Sequence, residues 1–313
     1  MDIPKYNGNI HPDEWINDIQ KFRYIWKLDY KEFLKIAISL VDPTIKLPAE
    51  ISNIEELRNA LKDNISFAVF KNTNKRKLQL LKYIPESRGG DTSKFISNFL
   101  KLCYNAEIND IEEQKNYLCK SLPMNEYFSN EFYTKMKNVN SLNELIKKFE
   151  DIAVEESNLI KNYSIVALKH VTTGKYLSSA ENFNYTTGSC TQLVFAGSPV
   201  PDSNSLWKIK FVKCNNTYNF RYQQYWNENW KFNDSKLENR QGYLKSNDII
   251  NLSIKKSYDD NKVEFLRSHD IQFTIGNDTF QEVVCHNERL GGNDEWCIEL
   301  IKQNVWTIDT LHD

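Results

Sequence analysis

Reaction chemistry needs nucleophiles, acids, bases or metal ligands that converge, and this sequence scatters them. It carries five histidines and six cysteines in 313 residues. Cys103, Cys119, Cys190, Cys214, Cys285 and Cys297 form no Cys-x-x-Cys pair, so the spacing suits neither a zinc ribbon nor a disulfide framework. Cys285 and His286 are adjacent, but neighbours on a strand point to opposite faces and would not share an ion. The sequence has no Gly-x-Ser-x-Gly elbow, no Walker loop and no His-Glu-x-x-His, the arrangements that arm a serine, cradle a phosphate or hold a catalytic zinc. Gly89-Gly90 lies between helical patterns rather than in a strand-loop-helix setting. Glu112-Glu113 and Asp259-Asp260 read as solvated helix and turn acids. The expectation is a non-enzymatic chain with no metal and no cofactor.

Binding chemistry is better represented. Tyr222, Tyr225, Trp226 and Trp230 stand among Gln223, Gln224, Asn227 and Asn229. Aromatic faces beside amides suit sugar stacking or protein docking, and partial burial in a core is the competing reading. His170 and Lys175 flank a turn at Thr172-Thr173-Gly174. The imidazole either contacts a ligand at a rim or satisfies a hairpin carbonyl.

Bulk properties narrow the partners. The net charge of -2 gives no electrostatic case for nucleic acid. The basic run from Lys71 to Lys77 reads as a solvated loop between helices. No apolar run approaches the roughly 20 residues of a membrane span. Met1 to Gly8 has no apolar leader core, so the expected location is a reducing cytoplasm, with most cysteines serving as core fillers.

Up to about residue 161 the apolar residues recur at helical spacing. Trp15, Ile19, Phe22 and Trp26 follow the start signal His11-Pro12-Asp13, and Trp15 and Trp26 read as core. A second helix covers Tyr30 to Leu40. The capping signal Asn53 to Glu56 opens a third, with Leu57, Leu61, Ile65, Ala68 and Val69 as its inner stripe. A short helix is expected over Lys77 to Tyr83. Pro85 to Asp91 is the clearest break, a possible hinge between two helical lobes. Four more helices follow, capped near Asp91-Thr92, at Asp110, over Glu126 to Met136, and at Ser141.

Several of these residues form a pattern: Tyr6-Asn-Gly8, Trp15, Gly90-Asp91-Thr92 with Phe95, Phe99 and Leu102, and Leu118-Cys-Lys-Ser-Leu122-Pro123. This resembles the capsid region of long-terminal-repeat retrotransposon Gag proteins over about residues 4–160. The resemblance implies two helical lobes and homo-oligomerisation. The zinc knuckle and basic tail that give many Gag proteins RNA binding are absent from the sequence, so nucleic-acid packaging does not carry over.

From Ile165 the period shifts to two. Val166 to His170 alternates, Thr172-Thr173-Gly174 is a hairpin signal, and Lys175-Tyr176-Leu177 returns as a strand. Thr191 to Phe195 is another strand, followed by a turn-rich loop and Leu206-Trp207-Lys208-Ile209. Val263 to His269 parallels the first strand, Asp270 to Phe273 the return, Thr279 to Val284 the third, and Asn293 to Ile298 the closing tryptophan strand. Tyr218 to Ile254 has the length of a middle unit. Three units in about 150 residues suggest a closed fold.

His170-Val-Thr-Thr-Gly174-Lys175-Tyr176-Leu177 with Asp202-Ser-Asn204-Ser-Leu206-Trp207-Lys-Ile209 resembles the MIR domain over about residues 163–313. That family implies a β-trefoil that binds or scaffolds without catalysis, with Trp207 and Trp296 plugging its core. Its members with secretory context reside in the endoplasmic reticulum, whereas this sequence shows no entry signal.

The expected protein is multi-domain: an all-α, two-lobed helical domain over 1–161, then an all-β trefoil over 162–313. Its expected role is non-catalytic binding or scaffolding, with a protein partner or glycan on the trefoil. His170, Lys175, Tyr222, Tyr225, Trp226 and Trp230 are the candidate contacts. A carbohydrate-binding module and an accessory of protein O-mannosylation are the alternatives.

Overall fold

A computed structural model describes residues 4–123, 126–185, 192–210, 212–214, 217–220, 230–233, 243–255 and 262–303. Contacts divide the chain into two compact units, Met1–Ala153 and Val154–Asp313. Among the described residues, eight α-helices come first and eleven strands follow.

The helices are α1 (Pro12–Trp26), α2 (Tyr30–Ser39), α3 (Ile54–Asp63), α4 (Ile65–Leu80), α5 (Thr92–Asn105), α6 (Ile111–Ser121), α7 (Glu126–Met136) and α8 (Leu142–Ser157). Their starts follow from side chains that take up orphan amides. His11 Nδ1 accepts from the Asp13 N–H, Asn53 from Glu56, Asp91 from Lys94 and Asp110 from Glu113.

One apolar core gathers Tyr6, Trp15, Ile16, Ile19, Phe33, Leu34, Ala37, Leu57 and Leu61. The Trp15 indole N–H donates to Pro4 O at 2.8 Å, and its ring lies 5.2 Å from Tyr6. Another aromatic group joins Tyr83, Phe95, Phe128 and Phe149, with ring centroids 4.9–5.9 Å apart.

Several helix expectations are corrected. The third helix does not run through Val69. Asn64 turns extended (φ -72°, ψ 144°) and caps α4 by accepting the Ser66 N–H, so α3 and α4 diverge and Ile65 and Val69 stay exposed. The basic run Lys71 to Lys77 lies inside α4, which takes up the expected short helix only as far as Leu80, because Leu81 is extended. Trp26 is 46% exposed rather than core, because α1 ends there. The turn at 85–91 lies within one aromatic cluster, since Tyr83 before it packs on rings beyond it. A Cβ at Gly90 would stand 1.8 Å from Ile84 O, so glycine there serves a close backbone approach. Of the described cysteines only Cys103 is buried, while Cys119 and Cys285 are exposed.

The strands are β1 (Ile165–His170), β2 (Leu177–Asn184), β3 (Gln192–Ala196), β4 (Leu206–Lys208), β5 (Val212–Cys214), β6 (Thr217–Phe220), β7 (Trp230–Asn233), β8 (Ile249–Lys255), β9 (Val263–Ile275), β10 (Asp278–His286) and β11 (Trp296–Lys302). Their order is β2-β3-β10-β9-β8-β11-β1-β4, with β7 beside β8 and β5-β6 beyond it. Every pairing of named strands is antiparallel among the described residues. The core holds Val166, Leu168, Leu177, Trp207, Ile209, Ile250, Leu252, Leu266, Val283, Trp296 and Ile298.

An internal repeat underlies this sheet, at an offset of 89 residues (296 minus 207, 266 minus 177). The Trp207 indole N–H donates to Leu177 O at 2.8 Å, and Trp296 donates to Leu266 O at 3.1 Å. Ser179 Oγ donates to Leu193 O and Ser268 Oγ to Glu282 O, both at 2.9 Å. Leu177 pairs Ala196 as Leu266 pairs Cys285, and Ser179 pairs Val194 as Ser268 pairs Val283. A 3-10 turn precedes each tryptophan strand, at Ser203–Ser205 and Gly292–Asp294.

The repeat corrects the expected register. Val166 sits opposite Trp207, and Ile250 sits opposite Trp296. The first strand of the final unit is therefore β8, and Val263 to Leu266 belongs to its return strand. The alternation of β9 misled, because period two marks any half-buried strand without ranking it in the unit.

Candidate functional site

Two hairpins, β2-β3 and β9-β10, carry the site. Their inner strands touch at one pair, Gln281 opposite Ala196. Beyond that pair lies a cleft of about 350 Å³, at the small end of the ~300–1,000 Å³ range of ligand pockets. Lys175 comes from the turn before β2, Phe183 from β2, Phe195 from β3, and Gly197 and Ser198 from the loop after it. Gln272, Asp278, Thr279, Phe280 and Gln281 complete the lining from β9-β10.

Local sequence explains this arrangement. Gly276 takes φ +62° in the tight turn between Ile275 and Asp278, a conformation that favours glycine. The turn brings Asp278 and Thr279 to the mouth, where both are exposed. Phe280 anchors the floor, its ring 4.7 Å from Phe195 and 5.2 Å from Phe183 in edge-to-face contact. Lys175 and Asp278 have no ion-pair partner among the described residues. The lining contains no histidine or cysteine, and no group of metal-binding side chains occurs among the described residues.

Of the sequence candidates, Lys175 lines the cleft. His170 does not. It is fully buried against Trp296, with ring centroids 5.0 Å apart. Its Nε2 lies 2.9 Å from Asn293 O and its Nδ1 2.9 Å from Thr173 Oγ1. A carbonyl accepts only, so Nε2 carries the hydrogen. Burial holds the imidazole below its ordinary pKa, so it is neutral and Nδ1 accepts from Thr173. Neither nitrogen remains for a ligand. The carbonyl it satisfies belongs to the far turn at Asn293, not to its own hairpin. Trp230 is partly buried against the β core. Tyr222, Tyr225 and Trp226 lie outside the described residues.

Phe183, Phe195, Phe280 and Gln281 were not anticipated as site residues. A Phe on a strand signals core as readily as a floor, and only the hairpin pairing brings these four together.

The helical unit holds a different polar cluster. His11 is 2% exposed, and its Nε2 lies 3.7 Å from Glu107 Oε1. Asp13 meets Lys62 at 2.7 Å and Arg58 at 3.2 Å, while Glu107 meets Lys71 at 3.0 Å and Lys62 at 3.4 Å. Burial lowers the His11 pKa. His11, being also the N-cap of α1, gave no sequence signal of this charge cluster.

No family model matches the chain, and no curated protein matches it. Solved structures do. The crystal structure of the SDF2-like protein from Arabidopsis thaliana matches at 19% identity and TM-score 0.34, over 45% of this chain and 94% of that one. The Saccharomyces cerevisiae protein O-mannosyltransferase Pmt1-Pmt2 complex bound to the sugar donor matches at 13% identity and TM-score 0.35, over 68% of this chain and 43% of that one. A Caenorhabditis elegans protein of unknown function matches at 17% identity and TM-score 0.34, over 46% and 98%. Among the described residues no helix is long and apolar enough to cross a membrane.

Proposed function

We propose that this chain is a non-catalytic binding protein whose β unit is a MIR-like β-trefoil that holds a small carbohydrate in the cleft between β2-β3 and β9-β10. The observation that carries the reading is the cleft itself. Its floor is Phe183, Phe195 and Phe280, and its mouth offers an ammonium, a carboxylate, an amide and hydroxyls. A sugar ring has one apolar C–H face and a rim of hydroxyls, which is the complement of that lining. The repeated tryptophan and serine hydrogen bonds support the trefoil.

A glycan array with the full chain and its Asp278→Ala variant tests this. Signals on a subset of mannosides or galactosides that weaken in the variant are expected. Silence on every glycan, or equal binding by both proteins, contradicts it.

The helical unit fits self-association through the end of α1, where Tyr24, Ile25 and Trp26 are 77%, 60% and 46% exposed. Light scattering of the full chain at rising concentration tests that. A mass that stays monomeric removes this part of the reading.

A further inference from the structure

The first helix of the chain begins on a buried titratable group. His11 is 2% exposed and is the N-cap of α1. Pro12 follows it and has no N–H, so the Asp13 N–H is the first amide donor of the helix. His11 Nδ1 accepts that hydrogen at 3.1 Å. A ring nitrogen that accepts carries no hydrogen, so in the neutral imidazole the hydrogen sits on Nε2. Nε2 has no hydrogen-bond partner among the described residues and faces Glu107 Oε1 at 3.7 Å.

Charged and titratable groups face the ring from each element packed against it. α1 itself brings Glu14 and Asp13, whose Oδ2 lies 3.7 Å from Nδ1. α3 brings Arg58 and Lys62, which hold Asp13 at 3.2 and 2.7 Å. α4 brings Lys71, 3.0 Å from Glu107, and the Phe67 ring, 5.0 Å from the imidazole. α5 brings the Tyr104 ring, 4.6 Å away, and Glu107 comes from the turn after it. Glu107 takes φ +53°, a left-handed conformation more usual for glycine at a helix end. From there its carboxylate reaches His11, Lys62 and Lys71 together.

The hydrogen count fixes what acid does to this arrangement. A second proton has only Nδ1 to occupy. The imidazolium then has two donors and no acceptor, so it cannot cap the Asp13 N–H in any orientation. The new cation stands between the Asp13 and Glu107 carboxylates and competes for them with Arg58, Lys62 and Lys71. Burial opposes the charge and holds the His11 pKa below its ordinary value.

We propose that His11 is an acid-operated latch: capping of α1 and charge on His11 exclude each other, so a fall in pH releases the first turn of α1 and re-sorts the ion pairs that join it to α3, α4 and the turn after α5.

The test is a titration of 15N-labelled full chain from about pH 7.5 to 4, followed by nuclear magnetic resonance. At the upper end the imidazole nitrogen shifts should report the Nε2–H form. A scalar coupling across the hydrogen bond should join Nδ1 to the Asp13 amide nitrogen. As His11 takes its proton, that coupling should vanish and the Asp13 amide signal should move with the same midpoint. The Ser66 amide, capped by Asn64, which does not titrate, should stay in place through that midpoint. His11→Asn sets an amide oxygen where Nδ1 stood and cannot take a proton, so its Asp13 amide signal should hold steady there too. An Nδ1–H form at neutral pH overturns the inference, as does a coupling that persists once His11 is charged. So does a His11 that stays neutral until the helical unit unfolds, or a His11→Asn chain whose Asp13 amide moves as in the wild type.

Discussion

The helical unit and the β unit both bury polar side chains, and they satisfy them by different means. In the helical unit Asp13, Arg58, Lys62, Lys71 and Glu107 meet as charges at 2.7–3.4 Å, and the buried His11 imidazole lies 3.7 Å from the Asp13 and Glu107 carboxylates. His11 Nε2, Asp13 Oδ1 and Arg58 Nε have no hydrogen-bond partner among the described residues. In the β unit the Asp294 carboxylate is locked by directed bonds. Asp294, fully buried, accepts from Arg267 Nε at 2.7 Å, Arg267 Nη2 at 3.0 Å, His286 Nε2 at 2.7 Å and the Gly291 N–H at 2.6 Å. The lesson concerns tolerance. Coulombic contacts fall off slowly with distance and survive small shifts, whereas a directed network fails when one member is lost.

That contrast can be broken by substitution. The largest effect is expected for Trp296→Ala, which empties a fully buried site and frees Leu266 O. A loss of about 4 kcal/mol in the β unit, with helical circular dichroism retained, is the outcome to look for by calorimetry and spectroscopy. Asp294→Ala comes next, at about 3 kcal/mol, because it strands Arg267 and the Gly291 N–H in a buried place. A loss below about 1 kcal/mol in denaturant melts would show that the network is not directed as described.

The helical unit should instead respond to pH. Burial places the folded His11 pKa below its ordinary value of 6.5. The unfolded chain then takes the proton first, so stability is full above about pH 6.5 and falls as pH drops toward the folded pKa. His11→Asn should flatten this slope in urea melts monitored from pH 7.5 to 5. The smallest effect belongs to Trp26→Ala, within about 0.5 kcal/mol, since the ring is half exposed. A larger loss of monomer stability would place Trp26 in the core after all.

The order of elements was legible in the sequence because period carries it. Caps such as Asn53, Asp91 and Asp110 sit where their side chains demanded. The tryptophans gave the ends of two repeats, since Trp207 and Trp296 each stand two residues before an Ile on the same strand face. Strand rank within the unit was not legible. β8 reads Ile-Ile-Asn-Leu-Ser-Ile-Lys and pairs with β11 through only two residues, which no local pattern announces. Asn64 misled because the apolar period runs on past it, although its side chain favours the N-cap that it forms.

Of the proposed cleft, the sequence singled out Lys175 alone. His170 carries the chemistry of a ligand contact, yet a carbonyl 123 residues away in sequence claims it. Gln281 looks like any polar residue on a strand. Its place in the cleft lining comes from the pairing of β10 with β3 and β9, not from spacing.

The most direct test is a titration of 15N-labelled full chain with methyl mannoside and methyl galactoside, with the sugar recovered afterwards. Shifts confined to Lys175, Phe183, Phe195 to Ser198, Gln272 and Asp278 to Gln281, with the sugar returned unchanged, are predicted. Shifts centred on α1 to α8 instead, or a sugar returned chemically altered, would contradict the account.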